Sequence, residues 1–128
     1  MTLQLDQVAL DARDPERVAK FWAEVLDYKV SYDSATDPDN DSPEREIELS
    51  PRNGSTTMLL ILENNDEKKV KNRLHFDLRP DDQEAEVARV EALGAKRVDI
   101  GQGDVTWVVL ADPEGNEFCI LRSKESSD

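Results

Sequence analysis

One cysteine, Cys119, and one histidine, His75, stand in 128 residues. A lone cysteine closes no internal disulfide, and no basic start followed by an apolar run opens the chain, so neither an oxidising compartment nor a secretory leader is expected. A cytoplasmic location is the expectation. There is no apolar run of the ~18 residues that would suggest a membrane-spanning helix. Basic residues are also scarce, with 16 Lys and Arg against 29 Asp and Glu, for a formal net charge of −13 and a pI near 4.4. A polyanion is bound by clustered Lys and Arg, so nucleic acid is excluded as a partner and anionic membrane surfaces are disfavoured. The acidity serves solubility and also fits life in high salt. The length suits one domain, residues 1–128, with enough chain to bury a core.

What is present is patterning. Leu3 to Leu10 alternate loosely and predict a first strand. Asp14-Pro15-Glu16 then starts a helix: Asp14 caps, Pro15 suits the first helical position and Glu16 favours the positive end of the dipole. Val18, Phe21, Trp22, Val25 and Leu26 recur at helical spacing, and Phe21 and Trp22 read as core. Lys29 to Asp33 is a short strand. Ser34 to Glu44 is an acidic loop, too polar to order itself by burial and therefore expected to be mobile. Asp37, Asp39, Asp41 and Glu48 match the acidic spacing of a calcium loop, but Ser42 stands where glycine is needed and Pro38 and Pro43 interrupt, so calcium is not expected. Glu46 to Leu49 and Thr56 to Glu63 read as a hairpin through Pro51-Arg52-Asn53-Gly54, where Asn-Gly provides the positive φ of a tight turn. Met58 to Leu62 is apolar on both faces and belongs inside a sheet. Asn64 to Lys71 is a polar connector.

The order then repeats. In Arg73 to Arg79, Leu74, Phe76 and Leu78 alternate with Arg73, His75, Asp77 and Arg79 at the period of a strand, one face apolar and the other a candidate site floor. A helix follows from Gln83 to Leu93 with Gly94 as its stop. Val98 to Ile100, Val105 to Ala111 and Glu117 to Arg122 read as strands separated by Gly101-Gln102-Gly103 and by Asp112 to Asn116. Each half is strand, helix, strand, strand, strand, and Gln7 and His75 hold comparable places on the two leading strands. Such a duplication buries a core between its halves and leaves a cleft.

Three stretches carry a resemblance: LDQVALDARDPERVAKFWAEVL (5–26), NRLHFDLRPDDQEAEVARVEALGA (72–95) and WVVLADPEGNEFCIL (107–121). Their order and spacing resemble the vicinal oxygen chelate superfamily of glyoxalases, bleomycin resistance proteins and extradiol dioxygenases, and within it the glyoxalase-like domain proteins. The resemblance implies an α+β fold of two βαβββ modules, about 1–64 and 72–123, forming a curled mixed sheet around a cavity, and it implies a homodimer. In metal-dependent members divalent ions are held from the leading strands and the last strands. Carried over, those positions fall on Gln7, on His75, on Cys119 where glutamate is usual, and near Leu60.

That set departs from the pattern. Gln7 is a weak neutral ligand, His75 a good one, Cys119 a soft thiolate, and Leu60 contributes nothing, which suits zinc or copper better than manganese, iron or magnesium. Glu117 faces the same way as Cys119 but lies about 7 Å along the strand. The expectation is therefore no cofactor and no metal. A divalent ion, if bound, would use Gln7, His75 and either Glu117 or Cys119. The expected ligand pocket comprises Gln7, Arg73, His75, Asp77, Trp107 and Cys119, with no catalytic residue identified. His75 and Cys119 read either as a hydrogen-bonded structural histidine and a small buried apolar residue, or as a pair that lowers the thiol pKa. Asp77 either pairs with Arg73 or Arg79, or leaves an arginine free for a carboxylate or phosphate. Together these readings point to a metal-independent glyoxalase-like protein that binds a small molecule. The alternative is a metal-dependent lyase or isomerase of glyoxalase type acting on a small oxygenated substrate, and a ligand-free interaction module is a third reading.

Overall fold

The computed structural model describes residues 3–52 and 57–124. The chain divides into two units, Met1–Glu67 and Lys68–Asp128. In the first, β1 (Gln7–Ala12), α1 (Pro15–Leu26), β2 (Tyr28–Asp33), a 3₁₀ turn (Ser34–Thr36), β3 (Glu46–Pro51) and β4 (Met58–Glu63) follow in order. The second contains β5 (Phe76–Leu78), α2 (Gln83–Leu93), β6 (Lys96–Arg97), β7 (Val108–Ala111) and β8 (Glu117–Ile120). The sheets run β1-β4-β3-β2 and β5-β8-β7-β6. Each leading strand lies parallel to the last strand of its unit, and the remaining pairs are antiparallel. This is an α+β fold of two βαβββ modules. No helix among the described residues is long and apolar enough to cross a membrane.

Local chemistry sets the helices. The Asp14 carboxylate accepts from the Arg17 N–H at 3.3 Å and Pro15 opens α1, satisfying one orphan donor where the missing proline N–H costs nothing. Its apolar face, Val18, Phe21, Trp22 and Val25, is buried with Ile47, Leu49, Leu59 and Ile61 of the sheet, and α1 lies against all four strands. Phe21 and Trp22 meet edge to face, centroids 5.1 Å apart. In the second unit Asp82 caps α2 by accepting from the Ala85 N–H, and Gly94 at φ 121° ends it, donating to Val90 and Glu91 carbonyls. A side chain at Gly94 would be strained in that conformation. Val87 and Val90 of α2 are buried, as are Leu110, Phe118 and Ile120, and α2 rests on β8.

Several expected boundaries move. β1 starts at Gln7, and Leu3 and Leu5 are 95% and 72% exposed. β5 is only three residues long because its pairing with β8 covers Phe76 to Leu78 and no further. Leu74, expected on the core face, is 71% exposed. Alternation without a neighbouring strand to continue the ladder does not make a buried face. β6 falls on Lys96–Arg97 rather than on Val98 to Ile100, because these residues register with Ala111 and Leu110. β7 begins at Val108, not Val105. The β3–β4 hairpin forms as expected, while its Asn53-Gly54 turn and Thr56 lie outside the described residues.

The acidic loop orders itself by side chain to backbone bonds instead of apolar burial. Asp33 accepts from the Ala35 N–H and Asp37 accepts from Asp39 N–H and the Tyr32 hydroxyl. The Oγ of buried Ser34 accepts from the Glu46 N–H. Arg45 closes the neck, with two bonds to Asp33 at 3.0 and 2.7 Å and one to Glu16 at 2.9 Å. Those bonds hold the Asp33 carboxyl below the usual carboxylate range. Asp37, Asp39, Asp41 and Glu48 do not converge into a cluster with ligand spacing.

Trp22→Ala is expected to cost about 3–5 kcal/mol through lost burial and the cavity left behind. Leu74→Ala should change stability by less than about 0.5 kcal/mol, as an exposed position does. Urea unfolding of the two variants checks the contrast, which disappears if Leu74 belongs to the core.

Candidate functional site

The short parallel pairing of β5 with β8 sets Asp77 directly beside Cys119. Registered neighbours in a sheet share a face, and a residue two positions away on the same strand returns to it. His75, just before β5, comes back to Asp77: its Nε2 lies 3.1 Å from the Asp77 Oδ1. One ligand atom each from His75, Asp77 and Cys119 falls within 4.8 Å of the others, and this is the one such group among the described residues. The His75 and Asp77 side chains are 39% and 53% exposed, while Cys119 is buried on β8.

The electrostatics run against a reactive thiol. Burial, then the charge of Asp77 and a hydrogen bond to it, push the Cys119 thiol up from its ordinary value, with only Lys71 opposing. The imidazole that was to activate the sulfur is instead beside the carboxylate. A protonated, buried thiol is a poor nucleophile.

The other expected site residues are dispersed. Gln7 opens β1 in the first unit, half-buried and in register with Met58. Leu60 on β4 registers with Ala9 and Glu48 and has no donor to offer. Arg73 is exposed and forms no ion pair among the described residues. Trp107, just before β7, is 39% exposed. Neither arginine pairs with Asp77; Arg79 donates to the Arg122 carbonyl at 2.6 Å.

Glu117 is engaged elsewhere. Its carboxylate accepts from Lys68 Nζ at 3.0 Å and from the Asn72 N–H at 2.9 Å, and its side chain is only 12% exposed. Burial works against its charge, but the Asn72 N–H and the Lys68 ammonium outweigh burial and hold the carboxyl below its ordinary value. The neighbouring turn is rigid for its own reasons. Buried Asp112 accepts from the Glu114 and Asn116 N–H groups and from the Asn116 amide, with Gly115 at φ 90°.

Sequence reasoning named Asp77 as a pocket residue but omitted it from the possible ligands. The signal was there: Asp77 stands two positions after His75, and on a strand that is the same face. Lys68 and Asn72 as partners of Glu117 left no such trace, since they come from the connector and the residue just after it, 49 and 45 residues away.

A cleft of about 570 Å³ lies in the first unit between α1, β2 and β3, with Glu16, Lys20, Tyr28, Val30, Arg45 and Ile47 in its lining. It contains none of the expected pocket residues. The Arg45 guanidinium that could mark it as an anion site is already consumed by Asp33 and Glu16.

The family model described as glyoxalase-like domain matches residues 7–121, and the chain belongs to that family. No curated protein matches the sequence significantly. Among solved structures, a fosfomycin resistance protein from Mesorhizobium loti is 20% identical with a TM-score of 0.73, over 94% of this chain and 92% of that one. A mutant fosfomycin resistance protein from Listeria monocytogenes, complexed with Mn(II) and dihydroxypropylphosphonic acid, is 16% identical with a TM-score of 0.70, covering 97% and 95%. An antibiotic-binding protein from a Streptomyces species is 19% identical with a TM-score of 0.62, covering 97% and 99%. At these identities the likeness concerns the fold.

A divalent ion of the manganese kind prefers six ligands rich in oxygen. At the positions that the superfamily resemblance assigns to such an ion, this chain has the neutral amide of Gln7, the imidazole of His75, the buried Cys119 thiol with its pKa pushed up, and apolar Leu60. Asp77 adds one carboxylate, and the carboxylate of Glu117 is neutralised by Lys68. The donor set does not fit a hard ion.

Glu117→Gln should lower stability at neutral pH by about 1–3 kcal/mol, the usual worth of hydrogen bonds to a charged group. Because the folded-state pKa is depressed, the wild-type contribution is present above the ordinary glutamate value and is lost as pH falls through the folded one. The variant should lack that acid-side decline. Unfolding curves between neutral pH and about pH 3 measure both effects.

Proposed function

We propose that this glyoxalase-like protein binds a small molecule without needing a divalent ion. The observation that carries the reading is Glu117: the one carboxylate on β8 that could replace the family's missing glutamate is bound to Lys68 and Asn72. Gln7, His75 and Cys119 hold positions that the resemblance assigns to the site, and Arg73, Asp77 and Trp107 are added as candidate pocket residues from the sequence. Arg73, exposed and without an ion pair among the described residues, suits a carboxylate or phosphonate. Half-exposed Trp107 offers a flat apolar surface. The ligand class that follows is a small anionic molecule with an apolar body. The resemblance also supports a homodimer, and the lone cysteine supports a cytoplasmic location.

The competing reading is a manganese-type lyase or isomerase, which the Mn(II) complex of the Listeria protein brings to mind as a member of the same fold. The ligand atoms here argue against it.

Chelator-treated protein should be stabilised in thermal melts by members of a panel of small aromatic carboxylates and phosphonates. A ligand at 100 times its Kd adds about 2.7 kcal/mol. Calorimetric affinity should fall about tenfold in Arg73→Ala, as loss of a charge-assisted hydrogen bond does. Added Mn²⁺ should leave both readouts unchanged. Binding or turnover that requires Mn²⁺ would assign the chain to the lyase or isomerase class.

A further inference from the structure

We infer that His75 Nε2, an Asp77 carboxylate oxygen and Cys119 Sγ form a three-ligand site for a borderline, thiophilic divalent cation of the zinc type, presented by the β5–β8 pair of the second unit. Three observations lead there. The donors already converge, with 3.1 Å between the imidazole nitrogen and the carboxylate oxygen and all three ligand atoms within 4.8 Å of one another. In a tetrahedral zinc site with bonds of about 2.0–2.3 Å, the ligand atoms stand about 3.3–3.7 Å apart. The adjustment asked of the side chains is therefore about 1 Å, and the carboxylate and imidazole are exposed enough to make it.

The second observation is the register. Asp77 and Cys119 are held side by side by backbone pairing, so two of the three donors are placed by the sheet and not by long flexible side chains. The third is the donor chemistry. One thiolate, one carboxylate and one neutral imidazole balance a 2+ charge and match the nitrogen and sulfur preference of zinc, whereas a hard ion would find a single oxygen ligand. Binding forms three coordinate bonds and releases the Cys119 proton to solvent, with no change of oxidation state. The fourth position stays open for water or a ligand atom.

The ligand set shares His75 and Cys119 with the positions implied by family resemblance and differs in its third donor, which is Asp77, two residues after His75, where the resemblance implies Gln7. The inference does not rest on metal-free small-molecule binding, and the two fail separately: one is read with chelated protein and an organic probe, the other with the cation alone.

Cobalt(II), a spectroscopic stand-in for zinc, is titrated into metal-free full-length protein. One equivalent should produce a thiolate-to-cobalt charge-transfer absorption, displaced by zinc but not by magnesium or manganese. Asp77→Asn, an exposed and nearly isosteric change, should weaken cobalt binding by ~10-fold or more, since even partners outside the ligand set are worth about that much. Cys119→Ser should abolish the charge-transfer band. Far-ultraviolet circular dichroism establishes that each variant is folded, and His75→Ala, at an exposed position, repeats the test where Cys119→Ser does not fold. Absence of the band in the wild type, or unchanged cobalt affinity in Asp77→Asn and His75→Ala, overturns the assignment.

Discussion

Each unit of this protein is closed by one parallel pairing, between the strand that opens it and the strand that ends it. A parallel neighbour demands a long crossover, and here the crossover includes the helix and the two intervening strands. The last strand is thereby bonded on both sides, between the leading strand and the one before it. It is buried as an inner strand, with Leu59 and Ile61 in β4 and Phe118, Cys119 and Ile120 in β8 all nearly inaccessible. The same pairing that buries Cys119 brings it next to Asp77. Fold closure and site geometry are thus one event in the second unit.

A chain with 29 acidic and 16 basic residues has few cations with which to fasten its loops, and two of them hold structural positions. Arg45 gathers Glu16 and Asp33 at the neck of the acidic loop, and Lys68 ties Glu117 to the connector. The Arg45–Asp33 and Lys68–Glu117 pairs are partly shielded from solvent, where an ion pair with extra hydrogen bonds is screened less than a surface pair, while Glu16 is exposed. Their functional consequence is subtractive. Lys68 removes Glu117 from the set of available ligands, and Asp33 and Glu16 occupy the Arg45 guanidinium in the first-unit cleft. Among the described residues, the cluster of His75, Asp77 and Cys119 keeps its ligand atoms together, and Arg73 forms no ion pair.

The chain's local signals translated well. Asp14-Pro15 and Asp82 start the two helices, Gly94 ends the second, and the Asp112 to Asn116 turn separates β7 from β8. Each is decided by contacts within about four residues, so residue type at a position carries the information. Strand limits translated poorly. Leu3, Leu5 and Leu74 fit a period-two pattern and still point to solvent, because a strand extends only as far as a neighbour pairs with it. The acidic loop was legible as polar but not as ordered, since its order comes from the partners of Asp33, Asp37 and Ser34 and not from apolar content.

The amino-acid order by itself determined the repeated strand, helix, strand, strand, strand plan, the superfamily it resembles, and the absence of glutamate at Cys119. The plan follows from short-range spacing, and the other two rest on the resemblance that the three stretches carry. Only the tertiary structure decided that His75 meets Asp77, that Asp77 adjoins Cys119, and that Glu117 is held by Lys68 and Asn72. Those partners lie up to 49 residues apart along the chain. Their meeting is set by strand register, in which a shift of one residue would turn every side chain to the opposite face.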